Sequence, residues 1–199
     1  MKRLAQAAVL LATAALALST TLIWRSWTTP TIGQAEKQLQ SRQRLAVLPE
    51  ASYDNHPFDT PLPTPDAQLA HSRIVSAYRA TLAGTPAAVV LITQAQGYAG
   101  PIVLTIAITP DGRLLGSQVV EQQESPGLGG RLADPQVHWL TQFANRSLGD
   151  HWALKRDQGD FDQLAGATVT SRAVIEALQD ALRYFDEHRR ALLEGPPHE

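Results

Sequence analysis

The feature that most constrains this chain is a strict alternation. Ile102, Leu104, Ile106 and Ile108 interleave with Val103, Thr105, Ala107 and Thr109, the period of two expected of a strand with one buried face. Pro110-Asp111-Gly112 then supplies turn residues, and Leu114 to Gln122 follows as a second strand, so the pair is antiparallel. On the other side, Ala87 to Thr93 is β-branched and reads as a further strand. Leu82-Ala83-Gly84-Thr85-Pro86 offers a hairpin turn back to Arg73–Thr81. In that last segment Ile74, Val75, Tyr78 and Leu82 also fit helical spacing; it is assigned as a strand because its partner is one.

A change of period closes the domain. Val174, Leu178, Leu182 and Phe185 recur at i, i+4, i+8 and i+11, with Ile175 and Ala181 widening the stripe. This predicts an amphipathic helix from Arg172 to about Arg190 with Asp180, Glu187 and Arg190 turned away. Asp134-Pro135 predicts a short helix carrying Val137, Leu140 and Phe143, and 151–162 reads as irregular. Antiparallel sheet plus flanking helices makes an α+β domain over residues 66–190, with a frayed tail at 191–199.

The N-terminal third has a different character. Leu4 to Trp24 carries no charge, and its 21 residues would span roughly 30 Å as a helix, about the thickness of a bilayer core. A cleaved signal peptide ending near Ala15-Leu16-Ala17 is the alternative; the length of the run and the interfacial Trp24 and Trp27 favour a single transmembrane helix within residues 1–28. Lys2, Arg3 and the α-amino group outweigh Arg25. That keeps the N-terminus cytoplasmic and exports the domain. Residues 29–65 then read as a polar juxtamembrane helix, from Thr29-Pro30 to about Val47, and a connection rich in proline: Pro49, Pro57, Pro61, Pro63 and Pro65. A net charge of −2 predicts no nucleic-acid partner. The absence of cysteine excludes disulfides and cysteine-ligated clusters, and the six histidines lack metal-ligand spacing.

Two short stretches carry the chemistry. In Asp162-Gln163-Leu164-Ala165-Gly166-Ala167-Thr168-Val169-Thr170-Ser171, small residues permit a tight turn. Three hydroxyls, on Thr168, Thr170 and Ser171, then crowd the entrance of the helix, where free N–H groups and the helix dipole can seat a phosphate. A plain N-cap explains the same residues. In Glu124-Ser125-Pro126-Gly127-Leu128-Gly129, a Pro-Gly turn with two glycines tolerates positive φ and lets backbone approach a flat ring. An ordinary turn is the other reading.

Asp162-x-x-Ala165-Gly166-Ala167-Thr168 resembles the flavinylation motif Asp-x-x-Ser/Thr-Gly-Ala-Thr of the bacterial FMN-binding domain family. Ala165 departs from it by lacking the hydroxyl. The Glu124–Gly129 loop resembles that family's Glu-Thr-Pro-Gly-Leu/Ile-Gly loop. With Gly97-Tyr98-x-Gly100 and Lys155 to Asp162 in the family's order, the match runs from Ile74 to Tyr184 and is most similar to the G subunits of Rnf/Rsx ion-translocating complexes. The resemblance implies FMN joined through its phosphate to Thr168 by a flavin transferase. Gly166, Ala167, Thr170 and Ser171 would surround the linkage, and Glu124, Ser125, Gly127 and Leu128 would lie by the ring. Lys155 is either a positive charge favouring the reduced ring or a solvated surface lysine. The chain would be an electron carrier partnered by membrane lipid and the other subunits of the complex, with no catalytic residue, metal or substrate site of its own. The C subunit of a sodium-pumping NADH:quinone reductase, and a colourless scaffold domain in which Thr168 merely caps a helix, are the alternatives.

Overall fold

The computed structural model describes residues 47–49, 52–63, 67–134 and 136–194, with Gln6, Thr13, Ala17, Ser19 and Thr20. Met1–Arg42 and Gln43–Glu199 form two compact units. In the first, the Thr20 hydroxyl donates to the Ala17 carbonyl at 2.9 Å. The proposed span Leu4–Trp24, as a segment, and the juxtamembrane helix up to residue 46 lie outside the described residues, as do residues 64–66 of the connection. Among the described residues no helix is long and apolar enough to cross a membrane.

The second unit is built on a five-stranded antiparallel sheet in sequential order: β1 (Ala67–Gln68), β2 (Ser72–Leu82), β3 (Thr85–Gln96), β4 (Pro101–Ile108) and β5 (Leu114–Glu121). The ambiguous Arg73–Thr81 segment is a strand, in register with β3 from Ser72 opposite Ala95 to Leu82 opposite Thr85. The hairpin between them is tighter than the sequence predicts. Only Ala83 (φ 50°) and Gly84 (φ 76°) lie in the turn, the two positive φ values of a turn that matches strand twist.

One long helix, α1 (Thr168–Glu194), packs across β2, β3 and β4. Val174, Leu178, Ala181, Leu182 and Phe185 share a core with Ile74, Leu91, Ile102, Leu104, Ile106 and Ile108; each such large side chain contributes about 1.5–3 kcal/mol by leaving water. Two expectations need correcting. The helix begins four residues before Arg172, and Asp180 is buried rather than turned outward. Asp180 is 2% exposed because its Oδ2 accepts from the His71 N–H at 2.8 Å and the Ser72 hydroxyl at 3.1 Å, tying the start of β2 to the helix. At the other end, Arg79 on β2 donates through Nε to the Leu192 carbonyl at 2.7 Å, satisfying a carbonyl the last turn leaves open. Residues 191–194 therefore continue the helix instead of belonging to a tail.

The alternation along β4 is less complete than its sequence suggests. Thr105 and Ala107, assigned to the outer face, are fully buried. Ala107 joins Val47, Leu48, Ala80, Ala88 and Val90 in a second cluster on the opposite side of the sheet, with Tyr53 and Phe58 packed against it. The proline-rich connection is what brings these residues there. It runs along β2, with Asp54 N–H donating to the Thr81 carbonyl and Leu62 N–H to the Ala77 carbonyl, so it covers a sheet edge that would otherwise expose unpaired groups. The short helix predicted from Asp134-Pro135 is only a 3₁₀ segment, Trp139–Phe143, preceded by His138 at φ 46°; another 3₁₀ segment, Gly129–Ala133, ends just before Asp134. A left-handed residue breaks helical continuity. Phe143 still reaches the core, in contact with Trp139, Trp152 and Phe161.

Candidate functional site

Three connections converge at one end of the sheet. The β3–β4 turn (97–100), the loop leaving β5 (122–130) and the first turn of α1 enclose a cleft of about 350 Å³, within the size range of small-molecule sites. Its lining includes Tyr98, Glu124, Ser125, Leu128, Gly129 and the run from Gly166 to Thr170. The two motifs singled out in the sequence, Glu124–Gly129 and Asp162–Ser171, thus meet at one site.

Glu124 joins the three connections. Its side chain is 6% exposed. Oε1 accepts from the Ala99 N–H at 3.0 Å, and Oε2 accepts from the Thr170 hydroxyl at 2.6 Å. A Cβ on Gly97 would sit 2.3 Å from Oε1, and a Cβ on Gly129 would sit 2.4 Å from Oε2 and 2.7 Å from Thr170 Oγ1. Those glycines make room for a carboxylate. Gly129 has no positive φ, whereas Gly127 does, at 79°, with no atom within 4 Å of where its Cβ would be. The expectation that both serve positive φ therefore holds for Gly127 alone, and Gly127 lies beside the cleft, outside its lining.

The acceptor turn is set by Gly166, at φ 75°, where a Cβ would also lie 2.8 Å from Leu128 Cδ2. Ala167 N–H donates to the Leu164 carbonyl, and the first full helical bond runs from Ser171 N–H to the Ala167 carbonyl. The N–H groups of Thr168, Val169 and Thr170 meet no backbone acceptor among the described residues. They form the open positive end of a 27-residue helix. Thr168 is partly exposed, and its hydroxyl donates to Gln163 Oε1 at 3.3 Å.

Thr170 and Ser171 occupy the site differently from the caps the sequence predicts. Both are 1% exposed. Thr170 is committed to Glu124; Ser171 Oγ donates to the Ala167 carbonyl at 2.8 Å and accepts from the Leu164 N–H at 2.9 Å. They build the turn from inside. Lys155 lies outside the cleft lining, its Nζ 2.6 Å from Asp162 Oδ2, both side chains exposed. Asp162 is held through its backbone: Trp139 Nε1 donates to its carbonyl at 2.8 Å, and its N–H donates to Gln142 Oε1 at 2.8 Å.

Sequence reasoning gave no part to Val169 and no specific one to Tyr98. Five large apolar side chains are exposed among the described residues, and three of them, Tyr98 (74%), Leu128 (49%) and Val169 (51%), line this one cleft. Clustered exposed apolar groups mark a contact surface. The signal was present only as Val169 interrupting a run of hydroxyl residues. An apolar rim, open N–H donors and a reachable hydroxyl together fit a ligand with a flat ring and a phosphate.

Comparison with known proteins agrees with this chemistry. Residues 97–183 match the model of the FMN-binding domain. The G subunit of the ion-translocating oxidoreductase complex of Pseudomonas aeruginosa (strain UCBPP-PA14) is 45% identical over 175 residues, 85% of this chain and 82% of that one. The corresponding G subunit of Vibrio vulnificus (strain YJ016) is 34% identical, covering 82% and 79%, and that of Stutzerimonas stutzeri 38% identical, covering 77% and 68%. Among solved structures, the crystal structure of Shewanella oneidensis NqrC aligns at a TM-score of 0.49 and 23% identity, over 71% of this chain and 73% of that one.

Proposed function

This chain belongs to the family of G subunits of the ion-translocating oxidoreductase complex, and from that premise we propose that it is a flavoprotein that carries electrons within an Rnf/Rsx-type complex, with FMN esterified through its phosphate to Thr168. The observation that carries this reading is the meeting, in one cleft, of the Thr168 hydroxyl, three open helical N–H groups and an apolar rim. FMN supplies a ring that accepts one or two electrons. The chain's own residues do the rest. Thr168 provides the ester oxygen, the N–H groups of Thr168, Val169 and Thr170 face the phosphate, and Tyr98, Leu128 and Val169 offer the ring its contact surface. A phosphate at a helix N-terminus gains only about 0.3–2 kcal/mol, so the ester and the ring contacts hold the group.

Attachment requires a flavin transferase with FAD as donor. The Thr168 Oγ–phosphorus bond forms as the phosphoanhydride of FAD breaks; AMP leaves, and the hydroxyl proton passes to a base of the transferase. The anchor in residues 1–28 would hold the domain on the periplasmic side of the inner membrane, in contact with lipid and the other subunits. Protease added to the periplasmic side should then cut within 51–199 while Met1 or Lys2 is retained; a mature N-terminus near Leu18 refutes the anchor. For the linkage, the chain is co-expressed with a flavin transferase. The wild type should fluoresce on a denaturing gel and yield a tryptic peptide heavier by FMN less one water. Thr168→Val should lose both signals, and Thr170→Val should retain them. A fluorescent Thr168→Val, or a wild type that never fluoresces, overturns the assignment.

A further inference from the structure

Glu124 is the one charged side chain among the cleft's lining residues. It is 6% exposed, both its oxygens accept hydrogen bonds, and no Lys, Arg or His forms an ion pair with it among the described residues. The cationic candidate, Lys155, is engaged with Asp162 outside the lining. The fold also goes to some length to accommodate the carboxylate, since Gly97 and Gly129 each leave a space that any Cβ would take from one of its oxygens. A packing role alone would be served by a neutral side chain.

Resting on the reading of this cleft as a flavin site, we propose that the Glu124 carboxylate is an electrostatic tuning group that holds the potential of the bound flavin low. Reduction by dithionite adds two electrons and one proton from water to the ring, leaving one more negative charge there while dithionite is oxidised to sulfite. A fixed negative charge on a side chain that is itself buried, as Glu124 is at 6% exposed, opposes that gain more strongly than it would in bulk solvent. The one charged side chain in the lining is thus anionic, and its charge disfavours the reduced form.

The test uses full-length protein matured by a flavin transferase, solubilised in detergent and titrated spectroelectrochemically with dithionite and mediator dyes. Two variants separate charge from shape. Glu124→Gln keeps the shape: its Oε1 can still accept from Ala99, and its amide can donate to the Thr170 hydroxyl in place of accepting from it. It should shift the equilibrium at least tenfold toward the reduced form, a rise of about 30 mV for a two-electron couple. Glu124→Asp keeps the charge but shortens the side chain away from its partners, and should stay near the wild-type potential. Lys155→Gln should leave the potential unchanged. If Glu124→Gln cannot be loaded, Thr170→Val serves, because removing the donor that disperses the carboxylate's charge should lower the potential further. Wild-type potential in Glu124→Gln, a larger shift in Glu124→Asp than in Glu124→Gln, or a rise or no change in Thr170→Val overturns the proposal while leaving the flavin site standing. A wild type that binds no flavin overturns both.

Discussion

Gly127 and Gly129 sit two residues apart in one loop, yet the structure gives them different reasons to be glycine, and alanine separates the two. At Gly127 the backbone is left-handed, at φ 79°, and the space beyond is empty. Gly127→Ala should cost about 1 kcal/mol, the left-handed penalty less the reduced freedom of the unfolded chain. At Gly129 the backbone accepts any residue, but a Cβ would lie 2.4 Å from Glu124 Oε2, 2.7 Å from Thr170 Oγ1 and 3.0 Å from Glu124 Cβ. Either the 2.6 Å bond between Thr170 and Glu124 breaks, at about 1.5–3 kcal/mol for a charge-assisted bond, or the loop shifts against its packing for about 1–3 kcal/mol. Some of both gives about 3 kcal/mol for Gly129→Ala. Urea unfolding of the full-length protein in detergent, followed by tryptophan fluorescence, measures each variant as a change in midpoint at constant slope. The double variant with Glu124→Gln should cost less than the sum of the singles, because both changes remove the same charge-assisted bond between Thr170 and Glu124. Equal costs for the two alanine variants, or additivity in the double, would refute this account of the cleft.

Asp180→Ala removes the acceptor of the His71 N–H and the Ser72 hydroxyl inside the protein; stranding two donors should lower stability by about 2–4 kcal/mol in the same unfolding assay. Ala83→Asn should raise stability by about 0.5–1 kcal/mol, since asparagine tolerates the left-handed conformation that Ala83 holds at φ 50° in a two-residue hairpin. Burial works to raise the pKa of Asp150, but hydrogen bonds from the Ser147 N–H, Arg146 and the Ser147 hydroxyl outweigh it and hold the carboxyl below its ordinary value. Its folded value is therefore below its unfolded one of about 3.9, so the stability it contributes is whole above that pH and is lost as pH falls through the folded value. The stability gap between wild type and Asp150→Asn should accordingly be constant from pH 5 to 7 and shrink below about pH 4.

Much of the fold was legible because it is local. Alternation in β4 and the Pro110–Gly112 turn commit the chain to an antiparallel meander. The stripe from Val174 to Phe185 requires one apolar surface for the helix to cover. What could not be read depends on contacts distant in sequence. Asp180 looks like a solvent residue in a helical projection, and only the approach of His71 and Ser72 from the far side of the domain offsets the cost of burying it. Ala107 looks outward until Val47, Leu48 and Phe58 pack with it on the second face. In the cleft, the pattern of glycines located the loop but not its purpose, because the group that Gly97 and Gly129 avoid, the Glu124 carboxylate, is reached only when the β3–β4 turn and the loop after β5 meet.

The four-residue difference in where α1 begins bears on which hydroxyl stays exposed. With the helix starting at Arg172, as periodicity alone suggests, Thr168, Thr170 and Ser171 would all precede it, with Thr170 and Ser171 nearest its cap. With the start at Thr168, each residue advances the helix by about 100°. Thr168 and Thr170 therefore point to nearly opposite sides, whereas Ser171 lies about 60° from Thr168 and is drawn inward by its bonds to the Ala167 carbonyl and the Leu164 N–H. The exposures of Thr168 and Thr170 follow that phase: Thr168 is partly open, while Thr170 is 1% exposed and bonded to Glu124; Ser171 is 1% exposed because both of its bonds are made inside the preceding turn. Ser171 fixes the phase by clamping the turn that precedes the helix. The Arg172 guanidinium, 2.7 Å from Asp157 Oδ2, fastens the next position to the 3₁₀ segment at Lys155–Asp157. Of the three hydroxyls, the fold thus leaves only that of Thr168 open, at the point where the helix's first N–H groups meet no backbone acceptor among the described residues.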